Sequence, residues 1–247
     1  MLPELSDLRG IALFDGLPDD VLLTLSSEAQ PRQLRRSAVV FSEGTPARAV
    51  HVLTSGFVKM VQSTPDGARI VLRYVAPGEL FGTPAFLQNG RYPGDAVAAT
   101  SAVELQWPTR VVRRLLLKHP QMAVNALIAL ETRLRDLECR LMELSNEPVD
   151  RRIARTLLRL VRKSGLSLDG NLEVPFPLTR QDVADMTGTT LHTVSRTFGV
   201  WAQQGLIERG RQRVVVRNLE ALAALAQDGA AGKPSPRRTH RRRGGRA

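Results

Sequence analysis

The chain has 247 residues and a formal net charge of +11, and seven of the positive charges lie within the segment 233–246. A chain of this length can bury a substantial core and exceeds one average domain. Its single cysteine, Cys139, excludes an intramolecular disulfide and a cysteine-clustered metal site. The chain shows neither a signal peptide nor a long apolar run, so a cytoplasmic location without a membrane partner is expected.

The N-terminal part of the chain changes from a helical to a strand pattern. A short helix is predicted to begin near Pro18, because proline suits the first turn of a helix. Alternating apolar residues then predict strands at 39–41, 50–53, 57–61, 69–75, 96–99 and 103–107. Glycines punctuate these strands, and Asp66-Gly67 predicts a hairpin turn. Many short strands with regular turns predict an antiparallel barrel or roll.

A leucine seam marks the helical region that follows, over 109–145. The leucines recur with alternating spacings of three and four residues, at Leu127, Leu130, Leu134, Leu137, Leu141 and Leu144. One helix cannot bury this heptad pattern alone, so it predicts a parallel homodimer. In that pair Arg133 would face the partner subunit's Glu138. The alternative is a core helix inside a monomer.

The segment 145–148 (Ser-Asn-Glu-Pro) interrupts the helical pattern and is interpreted as a hinge. Asn146 is expected to cap the next helix, with Pro148 in its first turn. That helix is predicted over 149–163, with one apolar face.

A helix-turn-helix pattern follows. Thr179 and Asp182 resemble a capping box, and Gly188 can end the first helix with a positive φ. Thr190 can cap a second helix whose inward residues are Val194, Phe198 and Trp201. Two short helices about a glycine turn, followed by an apolar hairpin, predict a winged helix-turn-helix.

The predicted domains are a β-roll sensing domain at 1–108, a dimerisation helix and hinge at 109–146, a DNA-binding domain at 147–227 and a tail at 228–247. Small and basic residues dominate the tail, which is expected to be disordered. Its arginines are either simply solvated or attract phosphates without sequence preference.

This order of elements resembles the CRP/FNR family of bacterial transcription regulators. Two segments carry the resemblance, 77–82 (PGELFG) and 178–196 (LTRQDVADMTGTTLHTVSR). The resemblance implies an α+β fold with a jelly-roll-like N-terminal β-roll, a long dimerisation helix and a C-terminal winged helix-turn-helix. It also implies a homodimeric, effector-gated regulator that binds double-stranded DNA at a twofold-symmetric operator and contacts RNA polymerase.

The resemblance assigns the second helix of the pair to the major groove. Arg196 can bridge guanine O6 and N7, and Leu191 either contacts a thymine methyl or belongs to the core. His192 stands where the family commonly has glutamate, which leaves the usual TTGA-type half-site open. The expected DNA-binding residues are Thr179, Thr190, Leu191, His192, Ser195 and Arg196, with Arg209, Arg211 and Arg213 on the wing.

The family's effector pocket maps onto Gly82, Thr83, Arg91, Tyr92, Pro93 and Gly94. Members that bind cyclic nucleotides hold the ribose and phosphate with a glutamate and an Arg–Ser pair. This chain has Thr83, Pro93 and Gly94 at those positions. A buried phosphate would lack its guanidinium fork, so cyclic AMP is not expected as the effector unless Arg91 substitutes.

The sequence also resembles family members that respond to nitrogen oxides, some of which use haem. This similarity suggests a nitric oxide effector bound through haem, with His51 as the candidate axial ligand and His119 as a second one. An ordinary structural histidine is the alternative at both positions. The lone Cys139 excludes an iron–sulfur cluster.

The sequence leaves two other functions open. One is a cyclic-nucleotide-binding regulatory protein, and the other is an effector-independent regulator with a vestigial pocket. An enzyme is not expected, because the sequence shows no nucleophile elbow, dinucleotide fingerprint or phosphate-binding loop.

Overall fold

The computed structural model describes residues 3–86, 90–164, 167–168 and 171–227, so the predicted tail lies outside the described residues. The helices are α1 (Leu5–Arg9), α2 (Asp19–Glu28), α3 (Thr109–Lys118), α4 (Pro120–Asn146), α5 (Val149–Ser164), α6 (Arg180–Thr187), α7 (Leu191–Gln203) and α8 (Leu219–Gln227), with 3₁₀ turns at Ala12–Phe14 and Thr83–Phe86. The strands are β1 (Gln30–Leu34), β2 (Val39–Phe41), β3 (Ala49–Ser55), β4 (Val58–Ser63), β5 (Arg69–Val75), β6 (Leu80–Phe81), β7 (Asp95–Ala98), β8 (Ala102–Pro108), β9 (Ser167–Leu168), β10 (Asn171–Glu173), β11 (Ile207–Gly210) and β12 (Arg213–Val216).

Two antiparallel four-stranded sheets form the N-terminal roll, with strand orders β1-β8-β3-β6 and β2-β7-β4-β5. The largest fully buried side chain is Trp107, whose ring meets Phe14 edge to face at 5.2 Å. Its indole Nε1–H donates to Leu25 O on α2 at 2.8 Å, which ties the N-terminal helices to the roll. The predicted roll is confirmed, including the hairpin between β4 and β5 at Asp66-Gly67.

Strands β1 and β6 were not predicted from the sequence. In β1 only Leu34 is buried, because this strand forms the edge of its sheet and pairs with β8 alone. An edge strand tolerates Pro31, which donates no ladder hydrogen bond, and it need not show an apolar alternation. Strand β6 is two residues long, too short for any period to be visible.

Helices α3 and α4 divide the predicted helical region at His119, whose backbone is extended with φ −123° and ψ 90°. Pro120 then occupies the first turn of α4. Helix α4 has 27 residues. In the single chain its six seam leucines are exposed, from 40% at Leu130 to 66% at Leu127. The alternative of a core helix within a monomer is therefore wrong.

The predicted cap at Asn146 is wrong. Asn146 is the last residue of α4, and its side-chain amide donates back to the Met142 carbonyl at 3.4 Å. Glu147 then takes an extended backbone with φ −109° and ψ 145°, and α5 begins directly after Pro148. Pro148 therefore takes the capping position of α5, and its carbonyl accepts from Arg152 N–H at 3.2 Å.

Side-chain contacts brace this short junction. Glu143, which is 7% exposed, accepts two hydrogen bonds from Arg159 at 2.6 and 3.0 Å. Arg152 donates to the carbonyls of Glu147 and Thr187, both at 2.9 Å, and so ties the start of α5 to the end of α6. These contacts hold the end of α4, the start of α5 and the end of α6 together.

The C-terminal half packs α5–α8 around a second core and a small sheet of order β11-β12-β10-β9. As predicted, Val194, Phe198 and Trp201 of α7 are buried. The wing is the β11–β12 hairpin, whose turn places Gln212 at φ 60°.

The second core also includes residues of the roll, so the two halves are packed together. The ring of Phe176 stacks on Tyr74 of β5 at 4.1 Å and meets Phe57 at 4.7 Å. The Val71 N–H donates to Asp185 Oδ2 of α6 at 3.1 Å. Strand β5 thus contributes much of the contact between the roll and the C-terminal half.

Candidate nucleic-acid interface and effector pocket

The caps of the helix-turn-helix fix the angle between its two helices. The Thr179 hydroxyl accepts from Asp182 N–H at 3.0 Å, and the Asp182 carboxylate accepts from Thr179 N–H at 2.9 Å. Gly188 ends α6 with φ +59°, a conformation that L side chains rarely adopt. The Thr190 hydroxyl accepts from Thr193 N–H at 3.2 Å and starts α7. These contacts confirm the predicted caps and orient α7 rigidly.

Helix α7 presents a polar outer face over its first two turns. Leu191, His192 and Arg196 are exposed, and Ser195 is half-buried between them. Leu191 is 41% exposed, so its alternative assignment to the core is wrong. This face has the arrangement by which a recognition helix meets base edges in a major groove.

The wing brings two further cations to the same side. Arg209 and Arg211 are exposed, and with Thr179 they line a groove of about 250 Å³ between α6, α7 and the wing. Guanidinium groups on a wing are suited to phosphates, which position a protein on DNA without reading its sequence.

Arg213 lines the same groove, but two carboxylates of its own chain already hold its guanidinium. Its guanidinium binds Glu173 in bidentate fashion at 2.7 and 2.8 Å and Glu208 at 3.0 Å. The hydrogen bond with Glu173 raises the pKa of Arg213 above its usual value. Glu208 is itself held below its usual pKa, chiefly by Arg217. Arg213 therefore joins β10, β11 and β12, because two carboxylates flank it on the neighbouring strands.

The six residues of the predicted effector pocket do not surround one cavity. Tyr92 is buried with its ring stacked on Phe41 at 3.7 Å. A Cβ on Gly94 would lie 2.6 Å from Val61 O, and Arg91 is exposed and donates to Gly44 O at 2.6 Å. Tyr92 and Gly94 are thus packed within the roll, whereas Arg91 and Pro93 lie at its surface.

Gly82 lies against His51 rather than against an open pocket. A Cβ at Gly82, where φ is +72°, would lie 2.7 Å from the imidazole Cδ2. His51 is 3% exposed, and its Nδ1 lies 3.0 Å from Glu104 Oε2. Its Nε2 lies 3.2 Å from the Tyr92 hydroxyl, which donates to Ala49 O at 2.9 Å.

His51 does not fit as an axial ligand of haem. Both imidazole nitrogens are engaged, whereas a ligand needs one of them free for the iron. The rings of Phe41 and Phe81 lie 5.3 and 5.1 Å from the imidazole, which leaves no room for a porphyrin there. The structure thus supports the alternative of a structural histidine at this position. Among the described residues no cluster of metal-ligating side chains occurs.

A large cavity lies beside the predicted pocket and was missed by sequence reasoning. It measures about 550 Å³ and is enclosed by the Ala12–Phe14 turn, the β5–β6 region and α4. Thr83 is the one predicted pocket residue that lines it, and its charged inner wall comprises Arg73, Glu79 and Arg133. We call it the arginine cavity. The available signal was Arg73, a charged residue within the predicted strand 69–75.

The predicted pairing of Arg133 with the partner subunit's Glu138 is not supported by the side-chain positions. Arg133 lines the arginine cavity of its own chain. Arg140, one heptad later, donates to Leu72 O of β5 at 2.8 Å. Both arginines face the roll, which lies against this side of α4. A heptad pattern in one helix cannot predict such a contact.

Comparison with known protein families gives two matches along the chain. The cyclic nucleotide-binding domain matches residues 31–119, and the Crp-like helix-turn-helix domain matches residues 151–225. The first covers most of the roll with α3, and the second covers the elements from α5 to α8. No helix among the described residues has the length and apolarity needed to cross a membrane.

Characterised relatives match over nearly the full chain. A cyclic AMP receptor protein of Thermus thermophilus is 30% identical over 220 residues, covering 89% of this chain and 98% of the relative. A nitrogen fixation regulation protein FixK of Azorhizobium caulinodans is 31% identical over 225 residues, covering 88% and 86%. The solved structure of FixK2 from Bradyrhizobium japonicum has a TM-score of 0.70 at 26% identity, covering 83% of this chain and 99% of that one.

Proposed function

Because the chain belongs to the CRP/FNR family of bacterial transcription regulators, we propose that it acts as a homodimer that binds a twofold-symmetric operator and is gated by an effector in the roll. The observation that carries this proposal is the pairing of a capped, outward-facing α7 with the exposed leucine seam of α4.

The seam supports the dimer on energetic grounds. Six leucines that are each at least 40% exposed would leave a continuous apolar stripe in water. Burying such a stripe stabilises an association by about 25 cal/mol for each Å² removed from water. A parallel pair through α4 places two α7 helices side by side, which matches half-sites about one helical turn apart.

The proposed DNA contacts divide into two kinds. Arg196 recognises a guanine, Leu191 contacts a thymine methyl, and His192 and Ser195 face neighbouring base edges. Thr179, Thr190, Arg209 and Arg211 lie where phosphates would pass and position the protein. Exposed surfaces of the roll are further proposed to contact RNA polymerase.

The proposed effector is not a cyclic nucleotide. Thr83 stands in place of the acidic ribose ligand, and Pro93 and Gly94 supply neither the guanidinium nor the hydroxyl that would hold a phosphate. The relative from Thermus thermophilus is named for cyclic AMP, and that name does not carry over to a chain with these substitutions. Nitric oxide through haem gains no support from His51, whose two ring nitrogens are occupied.

Gating is proposed to act through α4 and β5. An effector beside α4 changes the pairing of the two α4 helices, and the braced junction at Glu143 and Arg152 carries that change to the helix-turn-helix. Effector affinity that differs between the two arrangements would then shift their populations.

The test is operator binding by Arg196→Ala. Operators are first selected from random-sequence DNA by the wild-type protein, and affinity is then measured by fluorescence anisotropy with competitor DNA. Arg196→Ala is expected to lose about 1–3 kcal/mol at one base position and to relax specificity there. Arg110→Ala, an exposed arginine on α3, is the matched control. Failure of the wild-type protein to enrich any symmetric site would contradict the proposed function.

A further inference from the structure

The arginine cavity holds more positive than negative charge on its inner wall. Arg73 has a side chain only 12% exposed, and its Nη1 donates to Glu79 Oε2 at 3.0 Å. Arg133 is half-buried in the same wall, where the negative charge of Glu79 acts on it. Lys163 of α5 is exposed at the opposite edge of the cavity, with Nζ 2.5 Å from Glu79 Oε1. The carboxylate of Glu79 thus lies among three cations, Arg73, Arg133 and Lys163.

The remaining charges of the lining sit at the rim. Arg9, Asp15 and Asp136 are exposed, and Arg9 is already paired with Asp19 at 2.5 Å. Water and salt screen exposed charges strongly, whereas they screen buried ones much less. The two rim carboxylates therefore offset little of the field around Arg73.

Arg73 is also incompletely satisfied. Its Nε is buried and has no hydrogen-bond partner within the described part of the chain. Burial, followed by the charge of Arg133, lowers the pKa of Arg73 to about 10, although Glu79 acts in the opposite direction. Burial likewise lowers the pKa of Arg133. A buried donor without a partner beside repelling guanidinium groups is a site that an anion would stabilise.

We propose that the arginine cavity binds a small anion of the carboxylate or phosphate class, held by Arg73 and Arg133 with assistance from Lys163. Its volume of about 550 Å³ suits a metabolite of modest size. Apolar residues such as Leu13, Leu80 and Ile128 line the rest of the cavity and suit a short carbon skeleton.

This anion would be the effector of the proposed regulator, so its role rests on the function proposed above. Glu79 bridges the roll to Lys163 of the DNA-binding half, and a bound anion competes with Glu79 for that lysine. Arg73 lies on β5 between Leu72, which accepts from Arg140 of α4, and Tyr74, which packs against the helix-turn-helix. Occupancy of the cavity is thereby linked to both α4 and the helix-turn-helix.

Isothermal titration calorimetry on the full-length protein, with succinate and inorganic phosphate as separate probes, tests the site. At least one probe is expected to bind saturably. Arg73→Gln and Arg133→Gln should each raise its Kd at least about tenfold, since a hydrogen bond to a charged group contributes about 1.5–3 kcal/mol. Arg135→Gln, an exposed arginine on the same helix whose side chain is 76% exposed, should leave Kd unchanged.

Two results would overturn the anion site. One is no saturable binding of either probe, and the other is an unchanged Kd in both cavity variants. Arg133→Gln protects the test against misfolding, since Arg133 is only half-buried. Operator affinity is measured on the same samples with and without each probe. If the wild-type protein binds its operator but neither probe, the anion site is wrong and the proposed regulator stands. If the wild-type protein binds no operator under any of these conditions, the proposed function itself is wrong.

Discussion

The hydroxyl of Tyr74 in the roll donates to Asp182 Oδ2 in the helix-turn-helix at 3.1 Å. Asp182 is the capping-box carboxylate of α6, and the same oxygen accepts from Thr179 N–H. One buried acidic group therefore starts the first helix of the helix-turn-helix and also joins that unit to the roll. A substitution of Asp182 would therefore remove the cap of α6 and the contact with Tyr74 at the same time.

Tyr74→Phe separates those two roles, because the ring and the cap are retained. The ring still stacks on Phe176, and Asp182 keeps its hydrogen bond from Thr179. We expect the free energy of unfolding to fall by about 0.5–1.5 kcal/mol, the net contribution of a typical hydrogen bond. Amide hydrogen exchange in α6 and β5 should become faster, because the docked state opens more often.

Tyr92→Phe is the matched control, since it also removes one buried tyrosine hydroxyl but acts wholly within the roll. Its α6 amides should exchange as in the wild-type protein. Equal exchange of α6 in Tyr74→Phe and the wild-type protein would show that the Tyr74 hydroxyl does not hold the two halves together.

The two tyrosines of the chain are expected to make the free energy of unfolding depend on pH in the alkaline range. Burial, with a further contribution from Asp182, raises the pKa of Tyr74, and burial also raises the pKa of Tyr92. The folded-state pKa values lie above the unfolded value near 10, so the stabilisation is complete below about pH 10 and is lost as pH rises through the folded-state values. We expect stability to decline above about pH 10.

Tyrosinate absorbance measured during an alkaline titration checks this expectation. Both tyrosines should ionise together with the loss of circular dichroism, because the folded state keeps both phenols protonated. Ionisation of either tyrosine near pH 10 in a chain that is still folded would contradict it. Tyr92→Phe, which leaves Tyr74 as the single tyrosine, assigns the signal.

Local patterns predicted the elements well, whereas contacts between distant segments were not predictable. The strand at 69–75 and the caps at Thr179 and Thr190 lie close to where their short-range patterns placed them. The docking of Tyr74 on Phe176 and the inward turn of Arg133 depend on how the roll lies against α4 and α6. No periodicity within one segment encodes such packing.

The candidate site was predicted in part for the same reason. Exposure of Leu191 and His192 follows from the helical period, because Val194 fixes which face of α7 points inward. The predicted effector residues rest on a family resemblance. The stacking of Tyr92 on Phe41 in that region depends on side-chain packing within the roll, which the sequence does not reveal. The family resemblance therefore pointed to the region around Thr83, but it did not predict the arginine cavity beside it.

On the wing, Arg211→Ala and Arg213→Ala are expected to behave differently. Arg211 is exposed beside the recognition helix, so its loss should weaken operator and non-specific binding alike. The slope of log affinity against log salt should fall by about 1. Arg213 is held by Glu173 and Glu208, so Arg213→Ala should leave that slope unchanged. Anisotropy titrations at several salt concentrations measure both slopes, and a reduced slope for Arg213→Ala would show that it reaches phosphate.

The leucine seam is tested by Leu134→Glu, which places a charge in the middle of the apolar stripe. Leu134 is 55% exposed in the single chain, so the variant should fold, with an unchanged circular dichroism spectrum. Sedimentation equilibrium should show a monomer. Operator affinity should fall by about 10²–10⁴-fold, because two linked α7 helices bind with an avidity that one lacks.

Leu117→Glu is the matched control for the seam. Leu117 is a leucine on α3 that is 85% exposed, and the same substitution there should leave both the sedimentation behaviour and the operator affinity unchanged. A dimeric Leu134→Glu variant with wild-type affinity would place the subunit contact elsewhere. It would also remove the reason to expect a twofold-symmetric operator, since the parallel α4 pair is what sets two recognition helices side by side.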